Sequence, residues 1–513
     1  MSRTHRFLGG VSLGYVYLVL VTVVGLWLTP FLLHRIGQHD LGLWLLATQI
    51  LGYLMLLDFG VVALLPREAA YATGRALGGQ PGDVGETVGR FRRIVRWQMP
   101  LVVLVALGVW VALPANWAEL RGPLVGILAT FVITFPLRIY HAALQGLQDH
   151  AYLGRVQLVA WTAGTAVTVA LVVAGVGLVA LVAGWAVTQL VSAAACGWRL
   201  RHHFKGAWLS TPPAVGWPVA RRLLSQSSWV SAAQVAQVFL NGTDVLIIGR
   251  ILGPLAVVPY ACTTKLVTVL ANHPQLLMQT AAPALSELRA GGNRERLAEV
   301  CSALTRAMLI LSGGVACLVL AVNHIFVQWW VGPGQFAGST LTALVVASLL
   351  LRHLNTTCVY ALFAFGHERP LSLTALADGA VTLVLSAWLV TRYGLIGGPL
   401  GSLIGVLAVS LPINLWRLSA ELGVRWTQPL INLRGWAVRF TVSAGVSVGL
   451  SRLVDQAGFW PLVASSALAM IVYVAVMWTL ALQPPLGEYV RAALVPLSNV
   501  LGGKWPDLRA SRP

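Results

Sequence analysis

The chain has 513 residues, of which 57% are hydrophobic and 10% charged, with a mean hydropathy of +0.76, so a soluble globular protein is excluded and a polytopic membrane protein is defined. The formal net charge of +18 would point to nucleic acid in a soluble chain, but 27 of the 35 Lys and Arg fall on alternate loops and the termini, five on the opposite loops (Arg35, Arg121, Arg250, Arg392, Arg452) and three inside helices (Arg138, Lys265, Arg352). That asymmetry is the positive-inside rule; it places both termini in the cytoplasm and makes a nucleic-acid partner unnecessary.

The basic N-terminus (1–6) leads into 11–33 without a small-residue cleavage site, so the first helix reads as a retained signal anchor. Further apolar segments follow at 41–65, 97–115, 122–146, 153–175, 178–199, 223–249, 255–282, 303–325, 338–363, 371–390, 394–418, 435–453 and 459–482. A membrane helix needs ~20 such residues, so the predicted fold is all-α with about 14 transmembrane helices. Trp and Tyr near segment ends, such as Trp110, Trp117, Trp416 and Trp436, fit an interfacial belt. Cys196, Cys262, Cys301, Cys317 and Cys358 show no metal-ligand spacing and read as packing residues.

A repeat organises these segments. The stretch 31–66, FLLHRIGQHDLGLWLLATQILGYLMLLDFGVVALLP, returns in degraded form at 245–283, VLIIGRILGPLAVVPYACTTKLVTVLANHPQLLMQTAAP. In both an Arg (Arg35, Arg250, an offset of 215 residues) ends one helix, a Gly-containing turn follows, and a second helix is expected to stop at a Pro (Pro66, Pro283). Two copies of one multi-helix unit predict a six-helix bundle over 1–199, a basic linker over 200–222, a second six-helix bundle over 223–419, two extra helices within 435–482 and a cytoplasmic tail over 483–513.

Charges inside a membrane cost ~2.5–3.5 kcal/mol each at a helix centre, so they are functional candidates. Six stand out: Asp58, Arg138, Asp244, Lys265, Arg352 and Asp378. Gln234, Gln237, Asn241 and Asp244 fall on one face of the seventh helix, and Lys265, Thr268, Asn272, Gln275 and Gln279 on one face of the eighth. Such stripes would line an aqueous cavity, or else form a polar seam between helices. Thr134, Arg138, His141 and Gln145 share a face of the fourth helix, and Arg352 is its equivalent in the tenth, at an offset of 214 residues from Arg138. Two arginines facing one cavity could grip a diphosphate bidentately, with Lys265 assisting. The competing reading pairs each arginine with a carboxylate such as Asp58 or Asp378 and locks its own bundle. Asp58, Asp244 and Asp378 are the candidates for ion coupling, and His141, His273 and His353 could carry protons or simply pack.

RIGQHDLGLW followed by LLDFG, with DVLIIGRILGPLAVVPY further on, resembles the polysaccharide transporter branch of the multidrug/oligosaccharidyl-lipid/polysaccharide (MOP) exporter superfamily, whose best-known members are O-antigen flippases. The resemblance implies a V-shaped pair of six-helix bundles that opens alternately to each side of the bacterial inner membrane. It implies transport, without catalysis, of an undecaprenyl-diphosphate-linked oligosaccharide from the cytoplasmic to the periplasmic leaflet for O-antigen, capsule or exopolysaccharide synthesis. Membrane lipid and the polysaccharide polymerase and export machinery are the implied partners; no cofactor is implied, and some members couple to H+ or Na+. The family brings no residue signature that assigns the site. A multidrug cation exporter of the same superfamily should show a cavity of carboxylates and aromatics, whereas the deep charges here are balanced; a peptidoglycan-precursor flippase remains the closer rival. The outer segments such as 38–40 and 116–122 are too short to hold the active site of a membrane glycosyltransferase or ligase.

Overall fold

A backbone in hydrocarbon must satisfy its own N–H and C=O groups, and a chain this apolar does so by folding as helix. In the computed structural model the described residues are 3–77, 83–208, 213–241, 243–290, 294–454, 458–484 and 486–487, and no strand occurs among them. Most of the tail expected over 483–513, part of the 200–222 linker and the side chain of Asn241 lie outside the described residues. Contacts divide the chain into two compact units, 1–259 and 260–513.

The first unit contains α1 (Arg3–Leu54), a tight turn of helix over Met55–Asp58, α2 (Val61–Leu77), α3 (Val84–Val111), α4 (Arg121–Thr134), α5 (Arg138–Gly146), α6 (His150–Val173), α7 (Leu178–His203), α8 (Trp217–Asn241), α9 (Thr243–Ile251) and the start of α10 (Pro254–Leu270). Asp83 caps α3 by accepting from the Glu86 N–H at 3.0 Å. The turn of the repeat is present in both copies: α1 breaks at Gly37 (φ 85°) and α9 gives way to α10 at Gly253 (φ 92°), backbone angles that glycine adopts freely. The two copies of this turn meet within the first unit, where Gln38 Nε2 donates to the Leu255 carbonyl at 2.7 Å and Trp117 Nε1 to the Gly249 carbonyl at 3.2 Å. The division between the two units falls inside α10.

The second unit continues with α11 (Asn272–Ala290), α12 (Arg294–Val331), α13 (Ser339–Ala364), α14 (Glu368–Tyr393), α15 (Gly397–Gly405), a π-helical turn over Val406–Ser410, α16 (Leu411–Leu422), the short α17 (Gln428–Asn432), α18 (Arg434–Leu453) and α19 (Phe459–Ala481). The two extra helices rest on α12: the Tyr473 hydroxyl donates to the Ile310 carbonyl at 2.5 Å, and Trp436 Nε1 to that of Leu309 at 3.1 Å.

Two expectations change. Neither Pro66 nor Pro283 ends its helix, since α2 runs through to Leu77 and α11 to Ala290; one missing N–H is tolerated in a membrane helix when neighbours satisfy the freed carbonyl. The interruption comes earlier, at Phe59 (φ 47°) and Gly60 (φ 70°), within the apolar run expected as one span. Among the described residues ten helical runs are long and apolar enough to cross a membrane, or eleven if α8 and α9 count as one bent span. The count of about 14 is not reached in this way because 11–33 with 41–65, and 371–390 with 394–418, each lie in one continuous run, and α18 with its three arginines falls outside.

Candidate functional site

LLDFG builds the first half of the site. The left-handed pair Phe59–Gly60 unwinds the chain, and the freed Gly60 N–H bonds Asp58 Oδ1 at 2.9 Å. Gln98 Nε2 donates to the Asp58 carbonyl at 3.2 Å, so α3 supports the same break. A side chain at position 60 would meet the Ser227 carbonyl at 2.6 Å, which leaves glycine as the residue for this turn. The Asp58 carboxylate is 1% exposed, and a buried carboxylate needs a cation. Arg138, at the start of α5, supplies it through Nη2 at 3.3 Å from Asp58 Oδ2.

Arg138 is not saturated by this contact. Its Nη1 is buried without a hydrogen-bond partner, and its guanidinium lies 5.7 Å from the Phe135 ring centroid. Beside it a cavity of about 360 Å³ opens within the first unit, lined by Tyr17, Thr134, Arg138, His141, Gln157, Gln189 and neighbouring side chains. His141 and Gln145, one helical turn apart, are joined at 3.2 Å between Nε2 atoms. The fourth-helix polar face read from the sequence therefore meets a cavity, and Tyr17, Gln157, Thr188, Gln189 and Ser192 join it from α1, α6 and α7. Sequence reasoning missed these five. Their signal was weak: they are spread over three helices, one on α1, one on α6 and three on α7, and no single helical face collects them.

Arg352 is placed differently. Its Nη1 donates to Asp378 Oδ2 at 3.3 Å, Nε to Ser402 Oγ at 2.9 Å and Nη2 to the Ser402 carbonyl at 3.2 Å. Asp378, 0% exposed, also accepts from Ser410 Oγ at 2.5 Å and Thr382 Oγ1 at 3.1 Å. These bonds to the second unit's own groups tie α13 to α14 and α15. Of the two readings of the arginines, pairing with Asp58 and Asp378 is the one the geometry holds for both.

The two polar stripes are not the continuous faces expected. α8 carries Gln234, Gln237 and Asn241, then bends by 47° into α9, which carries Asp244. The second stripe breaks after Leu270, leaving Lys265 and Thr268 on α10 and Asn272, Gln275 and Gln279 on α11. Pro274 accounts for the break, because its ring clashes with the carbonyl of Leu270, four residues earlier. Gln234 is half-buried, Gln237 and Asn272 are exposed, and Lys265 and Asp244 are half-buried. Gln275 Nε2 lies 3.5 Å from His353 Nε2, and His353 Nδ1 shares a hydrogen with Ser312 Oγ at 2.7 Å, so His353 is a packed core histidine.

Helices of membrane-spanning length, a broken span carrying a buried ion pair and a cavity beside it describe a polytopic membrane protein. Residues 97–334 match the model of a family described as "Polysaccharide biosynthesis protein". In fold the chain is similar to the lipid II flippase MurJ in an inward closed conformation (TM-score 0.67, 10% identity, 91% of this chain and 99% of that one). It is similar also to an inward-facing multidrug resistance MATE family transporter of the MOP superfamily (TM-score 0.54, 14% identity, 77% and 93%). No curated protein matches the sequence. The chain thus combines a segment that matches a polysaccharide-biosynthesis family model with a fold similar to those two membrane proteins.

Proposed function

We propose that this protein is a flippase that carries a polyprenyl-diphosphate-linked oligosaccharide from the cytoplasmic to the periplasmic leaflet of the bacterial inner membrane by alternating access, for O-antigen, capsule or exopolysaccharide synthesis. The observation that carries the reading is a segment matching a polysaccharide-biosynthesis family set in a chain whose fold, over 91% of its length, is similar to that of the lipid II flippase MurJ. The physics is consistent with it. A glycan head group needs hydrogen-bonding partners, which the Gln and Thr of the cavity provide, while a polyprenyl tail can stay in lipid. Arg138, with donor capacity unused, suits a substrate anion; Arg352 is committed to Asp378 and Ser402 and serves to hold its unit together.

The test is leaflet accessibility in proteoliposomes. Purified protein should make a fluorescent polyprenyl-diphosphate oligosaccharide placed in the inner leaflet accessible to an external glycosidase, faster than protein-free vesicles. Equal rates would sink the proposal. The likeness to MurJ supports a second substrate, the peptidoglycan precursor, and the same assay run with lipid II separates the two.

A further inference from the structure

Where α3 begins and α7 finishes, the first unit gathers guanidinium groups around one tryptophan. Arg92 and Arg96 stand one turn apart on α3, Arg201 lies in the last turn of α7, and Trp208 follows the tight turn of helix over Lys205–Ala207. The Arg92 and Arg201 guanidiniums lie 4.7 and 4.4 Å from the Trp208 ring centroid. The charges of Arg96 and Arg201 both act on Arg92, which is buried, while Arg96 and Arg201 are exposed. Like charges gathered in this way repel one another, and an anion between them removes the cost.

The unit's own carboxylates on this side are committed elsewhere. Asp149 holds Arg199 at 2.9 Å, Glu86 is joined to Arg90, Glu68 to Arg67, and Asp83 caps α3. Among the described residues no carboxylate pairs with Arg96 or Arg201. Stacking of Arg201 on an aromatic ring leaves the in-plane N–H donors at the edge of its guanidinium available to phosphate oxygens. The surroundings indicate where the phosphate comes from. Trp97, next to Arg96, and Trp198, in the turn before Arg201, are both exposed and stand where an apolar helix gives way to charged residues. Tryptophans at such a border sit at the headgroup level of a membrane. The cluster is also separate from the cavity beside Arg138, whose walls include none of Arg92, Arg96, Arg201 and Trp208.

We propose that this end of α3 and α7 binds the phosphodiester of an anionic glycerophospholipid from the surrounding membrane. Arg96 and Arg201 supply the donors, and Trp208 is the platform against which Arg92 and Arg201 are held. The lipid is a bound ligand and not cargo, so the site does not rest on the flippase reading.

The experiment titrates the purified full chain in detergent with phosphatidylglycerol or with phosphatidylcholine of the same acyl chains, and counts bound lipid by native mass spectrometry. Phosphatidylglycerol should bind about tenfold or more tightly than phosphatidylcholine. Arg96→Gln combined with Arg201→Gln, both at exposed positions, should bring its affinity down to that of phosphatidylcholine. Arg75→Gln, which removes an exposed arginine from the last turn of α2 outside the cluster, should leave it unchanged. Equal binding of the two lipids by wild type, or equal affinity for phosphatidylglycerol in the double variant and in Arg75→Gln, would overturn the proposal, because binding would then not depend on this cluster. Displacement of the bound lipid by inorganic phosphate at a matching concentration would also overturn it, by assigning the cluster to a soluble anion.

Discussion

Arg138 and Arg352 each hold a buried carboxylate, but the acids arrive differently: Asp58 reaches Arg138 from the turn after α1, and Asp378 reaches Arg352 from α14, each at 3.3 Å. The same cation thus has two employments. In the second unit it is closed in by Asp378 and Ser402; in the first it is held on one side and borders a cavity on the other.

The closed pair is structural. Arg352→Gln leaves the fully buried Asp378 without its cation, and breaking a buried pair in this way costs about 3–5 kcal/mol. The variant should show sharply reduced membrane abundance and a lowered unfolding midpoint, while Arg352→Met combined with Asp378→Leu should recover much of both. Equal stability of Arg352→Gln and wild type would show that the pair is not a bolt.

For the open pair the expectation is different. Arg138→Gln combined with Asp58→Asn removes both charges, so no buried ion is left uncompensated, and abundance should stay near wild type. Flipping should nevertheless fall at least tenfold, because the guanidinium that borders the cavity is gone. A double variant that flips normally would remove Arg138 from the substrate path.

These two pairs mark how far the sequence could be read. The helical class, the repeat and its glycine turns at Gly37 and Gly253 were legible, since hydropathy and spacing act locally. The candidates Asp58 and Arg138 were each visible, as was Asp378 with Arg352, but the choice of partner depends on tertiary packing that no period encodes. The break at Phe59–Gly60 was hidden inside an apolar run, and Pro66 drew attention to the wrong place. The cavity was not legible, because Tyr17, Gln157 and Gln189 come from three different helices and only tertiary packing brings them to Arg138.

The break after Asp58 is sterically specified. Gly60→Ala would put a side chain at φ 70° and within 2.6 Å of the Ser227 carbonyl, where the backbone strain alone costs about 1–3 kcal/mol. A drop in unfolding midpoint and a weakened Asp58 turn are expected, read by thermal unfolding in detergent. An unchanged midpoint would mean that the turn tolerates a Cβ.

Close approach of α14 and α15 makes a parallel demand on Gly401, where an added Cβ would lie 2.3 Å from Ser386 Oγ and 2.6 Å from its backbone nitrogen. Gly401→Val should therefore lose stability by about 1–3 kcal/mol through overpacking. Gly445→Ala in α18, with nothing within 4 Å of the new Cβ, should be neutral or slightly stabilising. Similar losses from both would contradict the packing account.

The most direct measurement is made on a deletion strain, whose polyprenyl lipids are profiled by mass spectrometry with the leaflet of each glycan assigned by its access to an external glycosidase. Flippase activity predicts that a completed diphosphate-linked oligosaccharide accumulates on the cytoplasmic leaflet, its mass identifying the glycan. An unchanged lipid pool, with altered sensitivity to cationic drugs instead, would contradict that account and move the protein to the multidrug exporters of the same fold.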